Sequence, residues 1–201
     1  MGRTLQEEGF MTPQTVAISV LSILAVLLLA AAWSDYKRHR IPNSIVFSGV
    51  VLGILLNSLL AHGLGFASQY APGSGGFVFA LTGLGVGLAC LLPFYFLRAM
   101  GAGDVKLMAM VGAFLGTSDV LGAVLFTFLA GGAMALVVVA RGQAWGLLGG
   151  NMRVMLLGGL INASAGKLPA LETPVQSVGK LPYGVAIATG TLSWMLWKAL
   201  V

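Results

Sequence analysis

The sequence predicts an all-α, polytopic membrane protein of about six transmembrane helices. Three observations carry that reading. Hydrophobic residues make up 58% of the 201 and charged residues only 8%, against about 25% charged in soluble domains. Several apolar runs approach or pass the roughly 18 residues that a membrane-crossing helix needs. The 29 glycines are about twice the usual share of ~7%. Pairs such as Gly49/Gly53 and Gly112/Gly116 have the four-residue spacing at which transmembrane helices pack closely. The length suits a single domain, taken as residues 1–201.

The first span is expected from about Gln14 to Trp33, behind a short polar leader. Ala30-Ala31-Ala32 resembles a signal-peptide cleavage site. The flanks reject that reading, because the leader carries Glu7 and Glu8 against Arg3 while the strong cluster Lys37-Arg38-His39-Arg40 follows the run. The second span opens near Ile41-Pro42-Asn43 and ends near Ala61; proline suits the first turn of a helix, where its missing N–H costs nothing. A loop of Gly, Ser and Pro follows, and the third span runs from about Gly75 to Leu97, with a kink expected at Pro93. The apolar stretch Val105 to Gly116 is short, covering about 20 Å of a hydrocarbon core of ~30 Å. A fifth span is expected from Asp119 to Ala140 and a sixth from Pro182 to Leu200. Between them, residues 141–181 carry Arg153 inside a glycine-rich apolar run and are read as an interfacial or re-entrant segment.

Six spans with the N-terminus outside place Lys37, Arg38, Arg40, Arg98, Lys106, Arg141, Arg153, Lys167 and Lys180 inside, and Arg3 and Lys198 outside. That asymmetry satisfies the positive-inside rule. The net charge of +5 therefore points to orientation and to membrane lipid, not to nucleic acid. Cys90, the sole cysteine, is read as a small core hydrophobe.

An ionisable residue beside hydrocarbon is a functional hypothesis by default, and Asp104 stands behind Gly101-Ala102-Gly103 where two apolar runs meet. Topology gives it a partner, Asp35, at the same inner face. The bland alternatives are a solvated acid for Asp35 and an N-cap for Asp104. The glycine setting and the shared face favour function over both. Asp119 is read as a helix cap on the opposite side, Glu172 as loop, and Lys106 as snorkelling to headgroups away from Asp104. His39 and His62 have no metal-ligand company, so no metal site is expected. The sequence has no phosphate loop, and no cofactor is expected.

Two sheltered carboxylates share a proton, so that one activates water and the other polarises a carbonyl. That is the chemistry of an aspartic protease. The alternative use of such a pair is a proton or ion relay in a transporter.

At this point the sequence resembles the type IV prepilin peptidases. The resemblance rests on Asp35 followed by Ile41-Pro42-Asn43, on Gly101-Ala102-Gly103-Asp104-Val105-Lys106-Leu107, and on Pro182-Tyr183-Gly184 at the last span. It implies that Asp35 and Asp104 are the catalytic pair. It implies that Gly101, Gly103, Lys106, Pro42, Asn43, Pro182, Tyr183 and Gly184 bind or position substrate. It implies an enzyme of the bacterial inner membrane that removes the short basic leader of pilin or pseudopilin precursors at the cytoplasmic face, after a glycine. Longer members of the family add a cysteine-bearing domain and methylate the new N-terminus. This sequence shows no counterpart of that domain and resembles the short branch associated with tight-adherence (Flp-type) pili. Presenilin-like intramembrane proteases share the Gly-x-Gly-Asp block and carry a downstream Pro-Ala-Leu. Pro169-Ala170-Leu171 matches that triplet but lies well ahead of the last span and is treated as a decoy.

The topology is testable by thiol labelling in a Cys90-free background. Single cysteines at Ser68 or Ser118 are expected to react with an impermeant reagent from outside, and those at Ser44 or Ser164 are not. The reverse pattern would place both aspartates outside.

Overall fold

The computed structural model describes residues 13–59, 76–97, 99–141 and 182–200. The amino-terminal leader, the outer loop with His62, the segment with Arg153 and Glu172, and the Pro-Ala-Leu triplet lie outside these residues. All regular structure among the described residues is helical: α1 (Pro13–Arg38), α2 (Asn43–Leu59), α3 (Phe77–Phe96), α4 (Ala102–Arg141) and α5 (Tyr183–Leu200). Three stretches are long and apolar enough to cross a membrane, namely Ile18–Arg38, Phe77–Phe96 and Ala102–Arg141. Large apolar side chains such as Val26, Leu29, Phe47, Val51, Val78, Leu125 and Leu129 are exposed on the outside of the bundle, as hydrocarbon in place of water requires.

Each outer helix turns one narrow stripe inward. In α1 the stripe is Val20, Leu24, Leu28, Ala31 and Asp35, at the three- and four-residue intervals of one helix face. In α2 it is Val46, Gly49, Gly53 and Asn57, and in α3 Ala80, Gly83, Gly87 and Leu91. The expected spans match these helices within a few residues. The largest difference is at α1, which continues past Trp33 for another turn and so carries Asp35 inside the helix. Pro93 lies inside α3, which runs to Phe96.

α4 is two antiparallel arms joined at Gly116. Met108 and Val120 both come within 3.2 Å of the position that a Cβ would take on Gly87. A straight helix would hold them about 18 Å apart. The chain reverses where Gly116 adopts φ 75 and ψ −177, a backbone state that residues with a Cβ resist. Phe79 fills the space beside it, its Cζ 1.9 Å from where a Cβ would stand. The short fourth segment and separate fifth one expected from the sequence are these two arms.

Every residue from Asp104 to Gly116 except Lys106 is buried, so the first arm is the centre of the bundle. A helix that is apolar all round belongs there. Glycine lets its neighbours reach it. The carbonyl oxygen of Gly83 lies 2.1 Å from the Cβ position of Gly112, and that of Gly112 lies 2.2 Å from the Cβ position of Gly83. On the other side Gly49 receives the Met110 side chain and Gly53 receives Phe114. The break at Gly116 leaves carbonyls at the end of the arm without helical partners. Asn57 supplies them, its Nδ2 donating to the carbonyls of Ala113 (2.9 Å), Phe114 (3.4 Å) and its own helix's Gly53 (3.0 Å).

The second arm packs along α5. The Cβ position of Gly190 meets the backbone of Thr127, and that of Gly122 meets the Trp194 ring. At the far end Asp119, 3% exposed, pairs with Lys198. This corrects its reading as a cap. The α5 terminus runs back beside it, and a buried carboxylate at that contact takes a cation as partner.

Gly116→Ala combines a forbidden backbone state with a collision against Phe79 and is expected to cost on the order of 2–4 kcal/mol. Asn57→Leu strands the carbonyls and is expected to cost about 1–3 kcal/mol. Gly132→Ala, with nothing within 4 Å of its Cβ position, is the neutral control. Denaturant or thermal unfolding in detergent measures all three. Control-like stability of Gly116→Ala would contradict the reversal.

Candidate active site

Asp35 faces inward because it continues the α1 stripe, four residues on from Ala31. It is 7% exposed. Its Oδ2 accepts the backbone N–H of Gly184 at 2.7 Å across 149 residues of sequence. Gly184 is the second residue of α5, where N–H groups lack helical partners and the helix dipole favours a negative charge.

Asp104 is 8% exposed and is the third residue of α4. Its Oδ2 accepts the N–H of Gly101 at 3.0 Å. The carboxylate is thus not the N-cap itself; it reaches back from the first turn to the N-cap residue, as the acidic member of a capping box does. Gly103 lets this turn approach the α1–α2 connection, with Ile41 Cβ 3.3 Å from its Cβ position.

The two carboxylates line one cleft of about 290 Å³, together with the connection residues His39, Arg40 and Ile41, with Asn43 of α2, and with Gly101, Ala102, Gly103 and Lys106. In each, one oxygen is committed to a glycine N–H and the other has no protein hydrogen bond among the described residues. A pair of that kind can hold a proton between its members and act on a polar group entering the cleft.

Residues 22–136, more than half of the chain, match the model of the type IV leader peptidase family. The chain belongs to that family. It is 30% identical over 130 residues to the prepilin leader peptidase/N-methyltransferase of Myxococcus xanthus (strain DK1622), a match covering 61% of this chain and 35% of that protein. The chain therefore spans about a third of the length of that curated relative. No solved structure matches it. Asp35, Asp104 and the glycine block all fall within the region that defines the family, whereas Pro182, Tyr183 and Gly184 lie beyond it.

Of the residues that the family resemblance assigns to substrate, Asn43, Gly101, Gly103 and Lys106 line the cleft. Pro42 is not among its lining residues; it directly precedes α2, and its carbonyl accepts the Val46 N–H. Pro182, Tyr183 and Gly184 are not lining residues either. Pro182 offers its carbonyl to the Val185 N–H, Tyr183 packs against the core, and Gly184 touches Asp35. Lys106 does not pair with Asp104. Its ammonium lies 3.4 Å from Asn43 Oδ1 and 5.6 Å from the centre of the Phe47 ring, which ties α4 to α2 beside the cleft.

Sequence reasoning passed over His39 and Arg40 as topology signals. The structure gives them a further part. His39 ends α1 in the left-handed region, φ 47, where glycine is usual, with its N–H on the Asp35 carbonyl at 2.8 Å. Ser34 Oγ then donates to the Arg40 carbonyl at 3.0 Å. Together these bonds turn the chain tightly enough to bring Ile41 over Gly103. Among the described residues no group of three or more His, Cys, Asp or Glu forms a metal-ligand set.

Proposed function

We propose that this chain is an aspartic endopeptidase that removes the short basic leader of pilin-like precursors. Membership of the leader peptidase family supports the reaction class. The observation that carries the mechanism is that two buried carboxylates, far apart in sequence, line the same cleft. The substrates are assigned to pilin or pseudopilin precursors of the tight-adherence type. The site is assigned to the cytoplasmic face of the inner membrane, within a single six-span domain whose N-terminus lies outside. The placement of basic residues supports that orientation.

In the reaction, the ionised carboxylate takes a proton from water as the water oxygen adds to the scissile carbonyl. The protonated carboxyl donates to the carbonyl oxygen, giving a neutral tetrahedral gem-diol. Collapse returns a proton to the departing amine, breaks the C–N bond, and leaves one proton on the pair. The glycine N–H bonds orient both acids without consuming the oxygens that do this work. A hydrophobic helix following the cut can enter from the bilayer and leave its polar junction at the cleft.

Asp35→Asn and Asp104→Asn are each expected to lower leader removal by about 10²–10⁴-fold, the usual worth of a positioned acid or base, with the protein still in the membrane. Mass spectrometry of a co-expressed precursor's N-terminus measures it. Substantial cleavage by either purified variant would reject the pair, and proton-coupled flux in liposomes without proteolysis would identify a transporter instead.

The pair needs one proton, so the rate is expected to fall on both sides of a pH optimum, on the alkaline side by its loss and on the acid side by gain of a second. Two carboxylates are a thin ligand set for a hard cation, and activity is expected to survive exhaustive chelation. Activity lost to chelator and restored by a divalent metal would replace the acid pair with a metal mechanism.

A further inference from the structure

Gly184 lies behind Asp35, and its contact is closer than a hydrogen bond alone requires. A Cβ on Gly184 would stand 2.8 Å from Asp35 Oδ2, 3.0 Å from its Cβ and 3.1 Å from its Cγ. Contacts below about 3.0 Å force something to move, and here the atoms met are those of the short carboxyl side chain itself. The N–H of the same residue donates to Oδ2 at 2.7 Å. The first turn of α5 therefore presses on the Asp35 carboxyl and also holds it.

The two carboxylates differ in this respect. Asp104 takes its N–H from Gly101, three residues away on the same short segment. Asp35 takes its N–H from another helix. α5 is in turn fixed to the second arm of α4 by the Gly190–Thr127 backbone contact, the Trp194–Gly122 contact and the Asp119–Lys198 pair. Asp104 rides on the first arm of α4. The position of one carboxylate relative to the other is thus set along two routes, one through the Ile41–Gly103 contact of the α1–α2 connection and one through the hairpin of α4 and then α5.

We infer that Gly184 is the positioning residue for Asp35, setting its carboxylate against Asp104 through a backbone N–H and the absence of a side chain, and that it is not a substrate contact. The inference rests on the acid-pair reading above. It also assigns a role to the last-span motif, which the region matched to the family does not include.

The test compares three proteins with the unaltered chain, using a fluorogenic leader-junction peptide in nanodiscs. The first is Gly184→Ala, which keeps the N–H and adds the Cβ. The second replaces the Tyr183–Gly184 amide with an ester, using glycolic acid at position 184, which removes the N–H and adds no atoms. The third is Gly132→Ala, expected to match the unaltered chain. Both changes at position 184 are expected to lower kcat by about tenfold or more, the ester by losing a hydrogen bond to a charged group and the alanine by displacing the carboxyl that its Cβ meets, with KM within about twofold. Both are also expected to move the midpoints of the pH–rate profile. Loss of folded protein would scale the profile without moving it. The titratable and charged groups that line the cleft with Asp35 are Asp104, Lys106, His39 and Arg40.

Should Gly184→Ala fail to fold, the ester protein decides. Unchanged kcat and pH profile in the folded ester protein would overturn the inference, as would a raised KM at constant kcat, which is the signature of a substrate contact. Asp35→Asn is assayed in parallel. Its inactivity beside a fully active ester protein rejects the role of Gly184 alone, whereas its retained activity rejects the acid pair and the inference with it.

Discussion

Residues 104–115 leave no face for lipid. A helix of about 18 Å is too short to cross a ~30 Å core, and its end at Gly116 exposes carbonyls that hydrocarbon cannot satisfy. Both problems are solved by enclosing it. Enclosure by helices, each about 10 Å across with side chains, is possible at this density only where glycine lets backbones meet. The contacts of Gly83 with Gly112, and of Gly49 and Gly53 with Met110 and Phe114, follow from that constraint. So does the amide of Asn57, aimed at the broken end. The second arm then lies outside the first, against α5, and the order of packing of the rest is settled.

The same enclosure accounts for the state of the carboxylates. A buried charge is costly unless it is paired or hydrogen-bonded. The bundle uses both remedies and keeps them apart. Asp119 is paired with Lys198 at one end. Among the described residues, Asp35 and Asp104 at the other end have no cation within ion-pair distance, although His39, Arg40 and Lys106 line the same cleft. Lys106 is turned onto Asn43 and Phe47. Backbone N–H groups at helix starts hold the two acids instead. An N–H orients one oxygen through one lone pair and leaves the second oxygen free, whereas a bidentate cation would occupy both.

Much of this was legible in the sequence, because it depends on local chemistry. The paired glycines and the short segment ended by Gly116 rest on spacing along one helix. Asp35 falls on the buried stripe begun at Val20, which an almost uniformly apolar run does not itself mark out. What could not be read depends on pairings across the bundle. Nothing near Gly184 announces that its N–H meets Asp35 149 residues earlier. Asp119 looks like a cap until α5 returns Lys198 beside it. Nothing in the sequence pairs Lys106 with Asn43 of α2, which its ammonium meets. His39 has a side chain that argues against the left-handed backbone it adopts, and only the tight return to Ile41 explains the choice.

The two acids are consequently positioned by different physics. Asp104 is held within one turn of its own helix, so its geometry survives as long as that turn does. Asp35 depends on α1 for its direction and on α5 for its hydrogen bond, and α5 is located by the second arm of α4. Every step of that route is a contact at a glycine or a buried polar pair, and the α1–α2 connection adds a second link where Ile41 packs on Gly103. Backbone contacts of this kind have little slack, because an ångström of separation loses the contact and an ångström of compression is forbidden by overlap. A site assembled from distant helices can hold two carboxylates in register only if the links between them are this stiff. The glycine content that first marks the chain as a membrane protein is, at Gly112, Gly116 and Gly190, the means by which that stiffness is obtained.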